Sequence, residues 1–465
     1  KIEIMKAIKY FVLGAMISIS APTFAQEVDY GTALGPVTQA LKSNSAESAV
    51  LVKNYLKEYK KNPEAVIALG NSYLAVKNVD KAGEMADLAL SKAKKDLKIQ
   101  AQAYILKGDI EALKDESGNG GGAASHYATA MSLDPKNPQA YTRYASIYRK
   151  INPKLVEETY AKLKQEIPDY PIDAEAGHSF FSANKFDKAY ENFAKCKTSD
   201  LDEGKLVEYV ISAIQLRKYS EGLKIANAGS VKFPKNLTFK QLGLWSAVET
   251  SQFDEAVKIA EQFMQMEGVK NSTDYTYYGK ALLGVQRYND ALVQFNKALE
   301  VDANAVEALR KNSEAYTGLG NTDKALEYSE LYMKKNPNAT PSDYGKLANI
   351  YVEKGNYDKA LAIYDQMAEK YPSINTWAYT VAASVANKSG KADVSASYNQ
   401  KIVDVLGNKT GLDADETGYL KTALSLLGYY YWGEKENLEA AKPYYEMLIK
   451  LDPEDKNAKA ALGIE

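Results

Sequence analysis

Between residues 341 and 373 the apolar positions follow the period of two helices rather than that of a strand. Tyr344, Leu347, Ala348 and Tyr351 recur three or four apart and mark one face of a first helix. Gly355 predicts its end, and Asp358 stands where a side-chain acceptor can cap the next helix. Ala360, Tyr364 and Met367 carry the same spacing into that second helix, and Pro372 closes the unit because proline cannot extend a helix. The segment reads as an antiparallel helix pair. A pair this small buries one side of itself and needs a neighbour on each flank to complete its core.

The neighbours are visible as copies. Asn78-Val79-Asp80-Lys81-Ala82, Lys185-Phe186-Asp187-Lys188-Ala189 and Gln252-Phe253-Asp254-Glu255-Ala256 share one ending. So do Arg287-Tyr288-Asn289-Asp290-Ala291, Asn321-Thr322-Asp323-Lys324-Ala325 and Asn356-Tyr357-Asp358-Lys359-Ala360. With the weaker copy ending at Gly222, the small residue recurs at 189, 222, 256, 291, 325 and 360, every 33 to 35 residues. The phase gives about twelve units, bounded near 30–62, 63–97, 98–135, 137–169, 170–202, 203–236, 237–270, 272–304, 306–338, 341–373, 374–408 and 413–453, with a short end at 454–465. The third unit carries a Gly-rich insertion, Ser117 to Gly122, and the last has a lengthened loop around Gly433 to Asn437. The units at 30–62 and 374–408 fit the pattern poorly and are either degenerate copies or caps.

These residues resemble the tetratricopeptide repeat family. The match is carried by Tyr275, Tyr278, Gly279, Leu282, Ala291, Phe295 and Ala298, and by Leu309, Tyr316, Ala325, Tyr332 and Pro337. Asp173, Gly177, Phe180, Ala189 and Phe193 give another copy, as do Val66, Leu69, Gly70, Tyr73, Ala82 and Ala89. The resemblance spans roughly 30 to 455 and implies an all-α fold, a right-handed superhelix of helix-turn-helix repeats forming a single domain over 26–465.

The first 25 residues follow other rules. Met5-Lys6-Ala7-Ile8-Lys9 gives a basic start, Tyr10 to Ile19 an apolar run, and Thr23-Phe24-Ala25 the small residues of a cleavage site. The expectation is a secretory signal removed before Gln26, behind an extension Lys1 to Ile4 that precedes the initiator Met5. The apolar run is short for a membrane span, an uncleaved anchor being the alternative to a cleaved signal, and no other stretch reaches that length. No cysteine stands directly after the expected cleavage site, so a lipoprotein is not expected, and a periplasmic location is. Cys196 is the one cysteine, expected as a buried small thiol on a second helix.

Charge narrows the function. The chain has 58 basic and 60 acidic residues, and leaving out Lys1, Lys6, Lys9 and Glu3 leaves 55 and 59, a net of −4, which is no nucleic-acid footprint. Two histidines, His126 and His178, lack companions at metal-ligand or triad spacing. The glycine loop lacks the Lys-Ser or Lys-Thr of a phosphate cradle. Carboxylate pairs such as Glu157-Glu158 and Asp413 with Asp415 occur on charged helix surfaces without substrate platforms. No catalysis, cofactor or metal is expected.

Function then falls to the surface that stacked pairs create. The resemblance implies that first helices line a concave face holding a peptide or a partner's helix. Phase selects His178, Phe181, Trp245, Glu249, Lys280, Arg310, Glu314 and Asn349 as inward-projecting contact residues not needed between helices. The Lys-then-Asn clamp by which one subset of the family holds acidic tails is absent, because the matching positions are Ile67 with Asn71, Ala174 with His178, Thr276 with Lys280, Arg310 with Glu314 and Gly345 with Asn349. The expected role is a periplasmic scaffold that binds a protein or peptide within an envelope complex for transport, secretion or assembly. Two other readings stand beside it: a receptor for a glycan or peptidoglycan fragment using exposed aromatics such as those of Tyr429 to Trp432, and a carboxylate-based hydrolase.

Overall fold

The computed structural model describes residues 30–115 and 120–464. The signal segment expected over 1–25 and the Ser117 to Asn119 part of the glycine insertion lie outside the described residues.

All described elements are helices, arranged as consecutive antiparallel pairs. In the first part of the chain the pairs are Tyr30–Lys42 with Ser48–Tyr59, Pro63–Ala75 with Val79–Ala93, Leu97–Lys114 with Gly121–Leu133, and Pro138–Tyr148 with Pro153–Glu166. Ile172–Ser182 with Phe186–Phe193, Glu203–Gln215 with Tyr219–Lys232, and Leu237–Glu249 with Phe253–Gln265 follow. Beyond them come Ser272–Gly284 with Tyr288–Val301, Val306–Gly318 with Thr322–Lys335, Pro341–Glu353 with Tyr357–Lys370, and Asn375–Lys388 with Ala392–Leu406. Ala414–Tyr429 with Leu438–Leu451 is the last pair, and Lys456–Leu462 packs on it. The chain divides into two compact units, one ending at Gly268 and one running from Val269 to Glu465, where the sequence reads as a single domain. The division falls in the segment 266–271, which carries no helix and holds Gly268 at a φ of 126°.

Two devices repeat with the period. From Ile172–Ser182 to Asn375–Lys388, seven consecutive first helices each end in one residue of left-handed conformation, at Asn184, Arg217, Ser251, Gln286, Gly320, Gly355 and Gly390. The amide after it donates back to the final turn, as Arg287 N does to the Leu282 carbonyl (2.9 Å) and Asn356 N to that of Tyr351 (2.8 Å). Glycine meets this geometry without a Cβ clash, whereas Gln286 does so at a cost. Asparagine then starts many helices. Asn356 Oδ1 accepts from Lys359 N, so the cap expected of Asp358 belongs to Asn356. Asp358 sits in the first turn, where the helix dipole favours it, and pairs with Lys391 one repeat on.

The core is a seam between the two helices of each pair. The signature alanines Ala82, Ala189, Ala256, Ala291, Ala325 and Ala360 are all buried. Beside them, two positions sixteen apart face each other across the pair. A Cβ on Gly279 would lie 2.3 Å from Cε1 of Phe295, and one on Gly177 would lie 2.6 Å from Cε1 of Phe193. The ring occupies the volume that the missing side chain leaves. Where the first-helix residue is larger, the second is smaller: Val210 faces position Ala226 and Leu244 position Ala260, all buried. The phase near 275 needs one correction: Tyr277 is buried, while Tyr275 and Tyr278 are half-buried.

Gly279→Ala should lower the melting temperature, since overpacking costs about 1–3 kcal/mol and exceeds the ~1 kcal/mol gain in helix propensity. Gln286→Gly should raise stability by about 1 kcal/mol, because it relieves a left-handed backbone at an exposed position whose side chain is not needed for packing. Thermal and urea melts of the full chain measure both.

Candidate functional site

The residues selected by phase divide evenly between the two compact units. His178, Phe181, Trp245 and Glu249 belong to the first, and Lys280, Arg310, Glu314 and Asn349 to the second.

In the first unit His178 is exposed on Ile172–Ser182 and meets Glu208 of the next repeat's first helix, its Nδ1 2.9 Å from both carboxylate oxygens. That bond, above all, lifts the imidazole above its ordinary pKa, with burial and Lys205 opposing and the charges of Glu208 and Glu175 assisting. Lys205 lies 3.2 Å from Glu175 and 2.7 Å from Asp202, extending the network between the two repeats. Phe181 is half-buried and packs edge-on to Phe186 across the turn, centroids 5.7 Å apart, so it serves the pair's own packing. Trp245 is 3% exposed, which removes it from the contact surface. Its helix, Leu237–Glu249, is buried on nearly every side from Thr238 to Val248, so the phase that points Trp245 outward elsewhere points it into protein here. Glu249, at the end of that helix, is exposed.

In the second unit Lys280 lies over the Tyr277 ring, 4.3 Å from its centroid. Arg310, Glu314 and Asn349 come together at a cleft of about 270 Å³ between the first helices Val306–Gly318 and Pro341–Glu353. Ser313 and Thr317 also line it from the first of these, and Asp343, Lys346, Ile350 and Glu353 from the second. Ser329, Tyr332 and Met333 of the intervening helix Thr322–Lys335 form its floor. The cleft has a definite origin. At the paired seam positions this repeat carries Ser313 and Ser329, hydroxyl to hydroxyl at 2.6 Å, where Gly279 and Phe295 put a ring. Two small residues satisfy each other and leave space.

The charges are largely matched within the cleft. Arg310 Nε and Nη2 donate to Glu307 at 2.9 and 2.5 Å, and Nη1 donates to Glu314 at 3.0 Å. Burial opposes the guanidinium charge, but the Glu307 bonds and the charges of both glutamates outweigh it and keep the group protonated more firmly than usual. Glu314 also accepts from Lys311 (2.6 Å) and Lys346 (2.9 Å). Burial pushes its pKa up, yet those lysines and Arg310 carry it below the ordinary value. Asp343 Oδ2 accepts from Tyr332 (3.1 Å) and Thr340, and Tyr364 donates to Asn349 Oδ1 at 3.5 Å.

Sequence reasoning missed Glu208, Lys346, Tyr332 and Glu353. Glu208 and Lys346 could have been found by stepping about one period from His178 and Glu314, since the pairs are 30 and 32 residues apart. Tyr332 comes from a second helix, which a first-helix selection passes over.

Other candidates resolve simply. Cys196 lies just past the end of Phe186–Phe193, not within the helix, and is half-buried. Burial, with Asp173 and Asp200 nearby, pushes its thiol up. His126 packs near Tyr104, centroids 6.0 Å apart, and burial lowers its pKa. The lengthened loop of the last pair is a five-residue π-helical turn, Tyr430–Glu434, that continues the first helix. It leaves Tyr429 61% and Trp432 38% exposed, while Tyr431 stacks on Tyr444. No cluster of His, Cys, Asp and Glu among the described residues has the geometry of a metal site, and no described helix is long and apolar enough to cross a membrane.

Two segments, 344–373 and 422–455, match tetratricopeptide repeat models. No curated protein matches the chain. Among solved structures, the C-terminal part of a TPR repeat-containing protein from Cytophaga hutchinsonii is 21% identical with a TM-score of 0.45, covering 55% of this chain and 99% of that one. YrrB, a TPR protein with an unusual peptide-binding site, is 19% identical with a TM-score of 0.32 over 40% of this chain and 92% of its own. The APC/C hetero-tetramer Cut9-Hcn1 matches at 15% identity and a TM-score of 0.30, over 94% of this chain and 89% of that one.

The His178–Glu208 bond sets a pH dependence. An imidazole whose folded pKa is raised contributes stability that is complete below its unfolded value of about 6.5 and is lost as pH rises through the folded value. His178 is 48% exposed, so the contribution is about 0.2–1 kcal/mol. His178→Gln should therefore lower the melting temperature at pH 6 and leave it near the parent's at pH 9, as scanning calorimetry at the two pH values measures.

Proposed function

We propose that this chain, a tetratricopeptide-repeat protein, is an exported scaffold that binds a partner protein of a cell-envelope complex and catalyses nothing. Proteins of this class are protein-interaction scaffolds. The observation that carries the reading is the cleft between Val306–Gly318 and Pro341–Glu353, an open polar-and-apolar recess on first helices in the one repeat whose seam positions are Ser313 and Ser329. An extended peptide has the shape and hydrogen-bonding groups for such a recess. Export is supported by the basic start at Lys6 and Lys9, the apolar run to Ile19 and the Thr23-Phe24-Ala25 site. Within the envelope, the role is to hold components of a transport, secretion or assembly system, by analogy with what repeat scaffolds do.

One observation favours the glycan reading instead. Tyr429 and Trp432 stand exposed around a π-helical turn, a feature frequent at functional sites, and Trp377 is 39% exposed. With Trp245 buried, a saccharide settling around this turn would alter the emission of Trp432 among the three tryptophans.

A photo-crosslinking residue at Asn349, in cells of a two-membrane bacterium, should trap a specific periplasmic protein, and one at Val231 should not. The double variant Ser313→Gly/Ser329→Phe installs the glycine-and-ring pair of Gly279 and Phe295 and fills the cleft. It should abolish the Asn349 crosslink with the melting temperature held within a few degrees of the parent's. A crosslink that persists in the filled variant, or a chain recovered from the cytoplasm with its first 25 residues intact, contradicts the proposal.

A further inference from the structure

We infer that the cleft takes an extended peptide carrying two basic side chains four or five residues apart with an apolar side chain between them; this rests on the reading of the cleft as a protein-binding site. The argument is one of unmatched charge. Every cation lining the cleft is already engaged: Arg310 by Glu307 and Glu314, and Lys346 by Glu314. Two lining carboxylates have no cationic partner. Asp343 accepts only from hydroxyls and a backbone amide, and Glu353 is exposed with no ion pair among the described residues. A ligand therefore meets negative charge toward both ends of the Pro341–Glu353 helix and matched charge between them.

The spacing follows from helix geometry. Asp343 and Glu353 are ten residues apart on one helix, a rise of about 15 Å. An extended chain advances roughly 3.3 Å per residue, so that separation corresponds to four or five residues of peptide. Between the two ends, Met333 and Ile350 give the recess an apolar lining. Lysine and arginine suit it doubly, because their aliphatic stems can lie along such a surface while the charged heads reach the carboxylates. An acidic peptide would place like charge against Asp343 and Glu353, which selects against it.

The test is a random nine-residue peptide library displayed on phage and selected against the full chain, with binding of the selected peptides measured by fluorescence anisotropy. The expected sequences are enriched in Lys or Arg at two positions four or five apart, and their binding weakens as ionic strength rises. Glu353→Arg should weaken them by about tenfold or more, and since Glu353 is exposed and unpaired its melting temperature should match the parent's. Peptides that are lost in Ser313→Gly/Ser329→Phe yet lack basic residues, or that ignore Glu353→Arg, overturn this inference and leave the cleft as the binding site. Peptides that bind the filled variant as well as the parent overturn the cleft reading itself. Failure to select any peptide counts against the inference.

Discussion

The structure depends on how closely two helices approach at one pair of positions. In the Gly177–Phe193 and Gly279–Phe295 pairs, a ring of the second helix occupies the space that a first-helix Cβ would need. The same contact recurs at Gly108 with Tyr127 and at Gly428 with Tyr445, where insertion or the π-helical turn changes the spacing. Packing at crystal-like density leaves no slack in these pairs, so the ring of one helix and the missing side chain of the other have to be matched. Fixing that contact fixes the rotation of the first helix. The residue that follows then turns away from the seam, which is where His178, Lys280 and Asn349 stand. The cleft belongs to the same logic, since Ser313 and Ser329 meet by a hydrogen bond instead of filling the seam with a ring.

Neighbouring repeats are joined by contacts of the same period. Lys232, Lys335 and Lys370, near the ends of second helices, donate to carbonyls of Leu201, Ala303 and Pro337 one repeat earlier. Each lysine thus satisfies an acceptor beyond the preceding helix's end while its positive charge complements the C-terminus of its own helix. On the other side, Asp323 pairs with Lys354, Asp358 with Lys391 and Asp393 with Lys435, so the aspartate of the recurring signature reaches forward to the next repeat. Exposed pairs of this kind add little individually. Their effect is to hold register between units whose stability comes from burial against the adjoining unit.

Much of this was legible in the chain because helical period and repeat period reinforce each other. Tyr344, Leu347, Ala348, Tyr351, Ala360, Tyr364 and Met367 are buried as their spacing predicts. The failures share a cause: local pattern does not report what a tertiary neighbour supplies. Trp245 follows the phase of His178 and Lys280 but lies in a helix covered on nearly all sides. Asn356 outcompetes Asp358 for the cap by two residues of register, a distinction decided by backbone conformation at the helix start. The left-handed residues Arg217, Ser251 and Gln286 carry no glycine to announce them, and the strain is borne because the backbone bonds closing the helix end require it. The cleft itself has no motif, only two serines at the positions where Gly177 with Phe193 and Gly279 with Phe295 place complementary volumes.

A double-mutant cycle between positions 279 and 295 tests the governing contact most directly. If the Phe295 ring fills the space of the missing Gly279 Cβ, then Gly279→Ala should cost much less stability in a Phe295→Leu background than in the parent, with a coupling of about 1 kcal/mol or more by urea denaturation. Additivity of the two substitutions within about 0.3–0.5 kcal/mol would contradict the account, because the seam would then not be set by that ring.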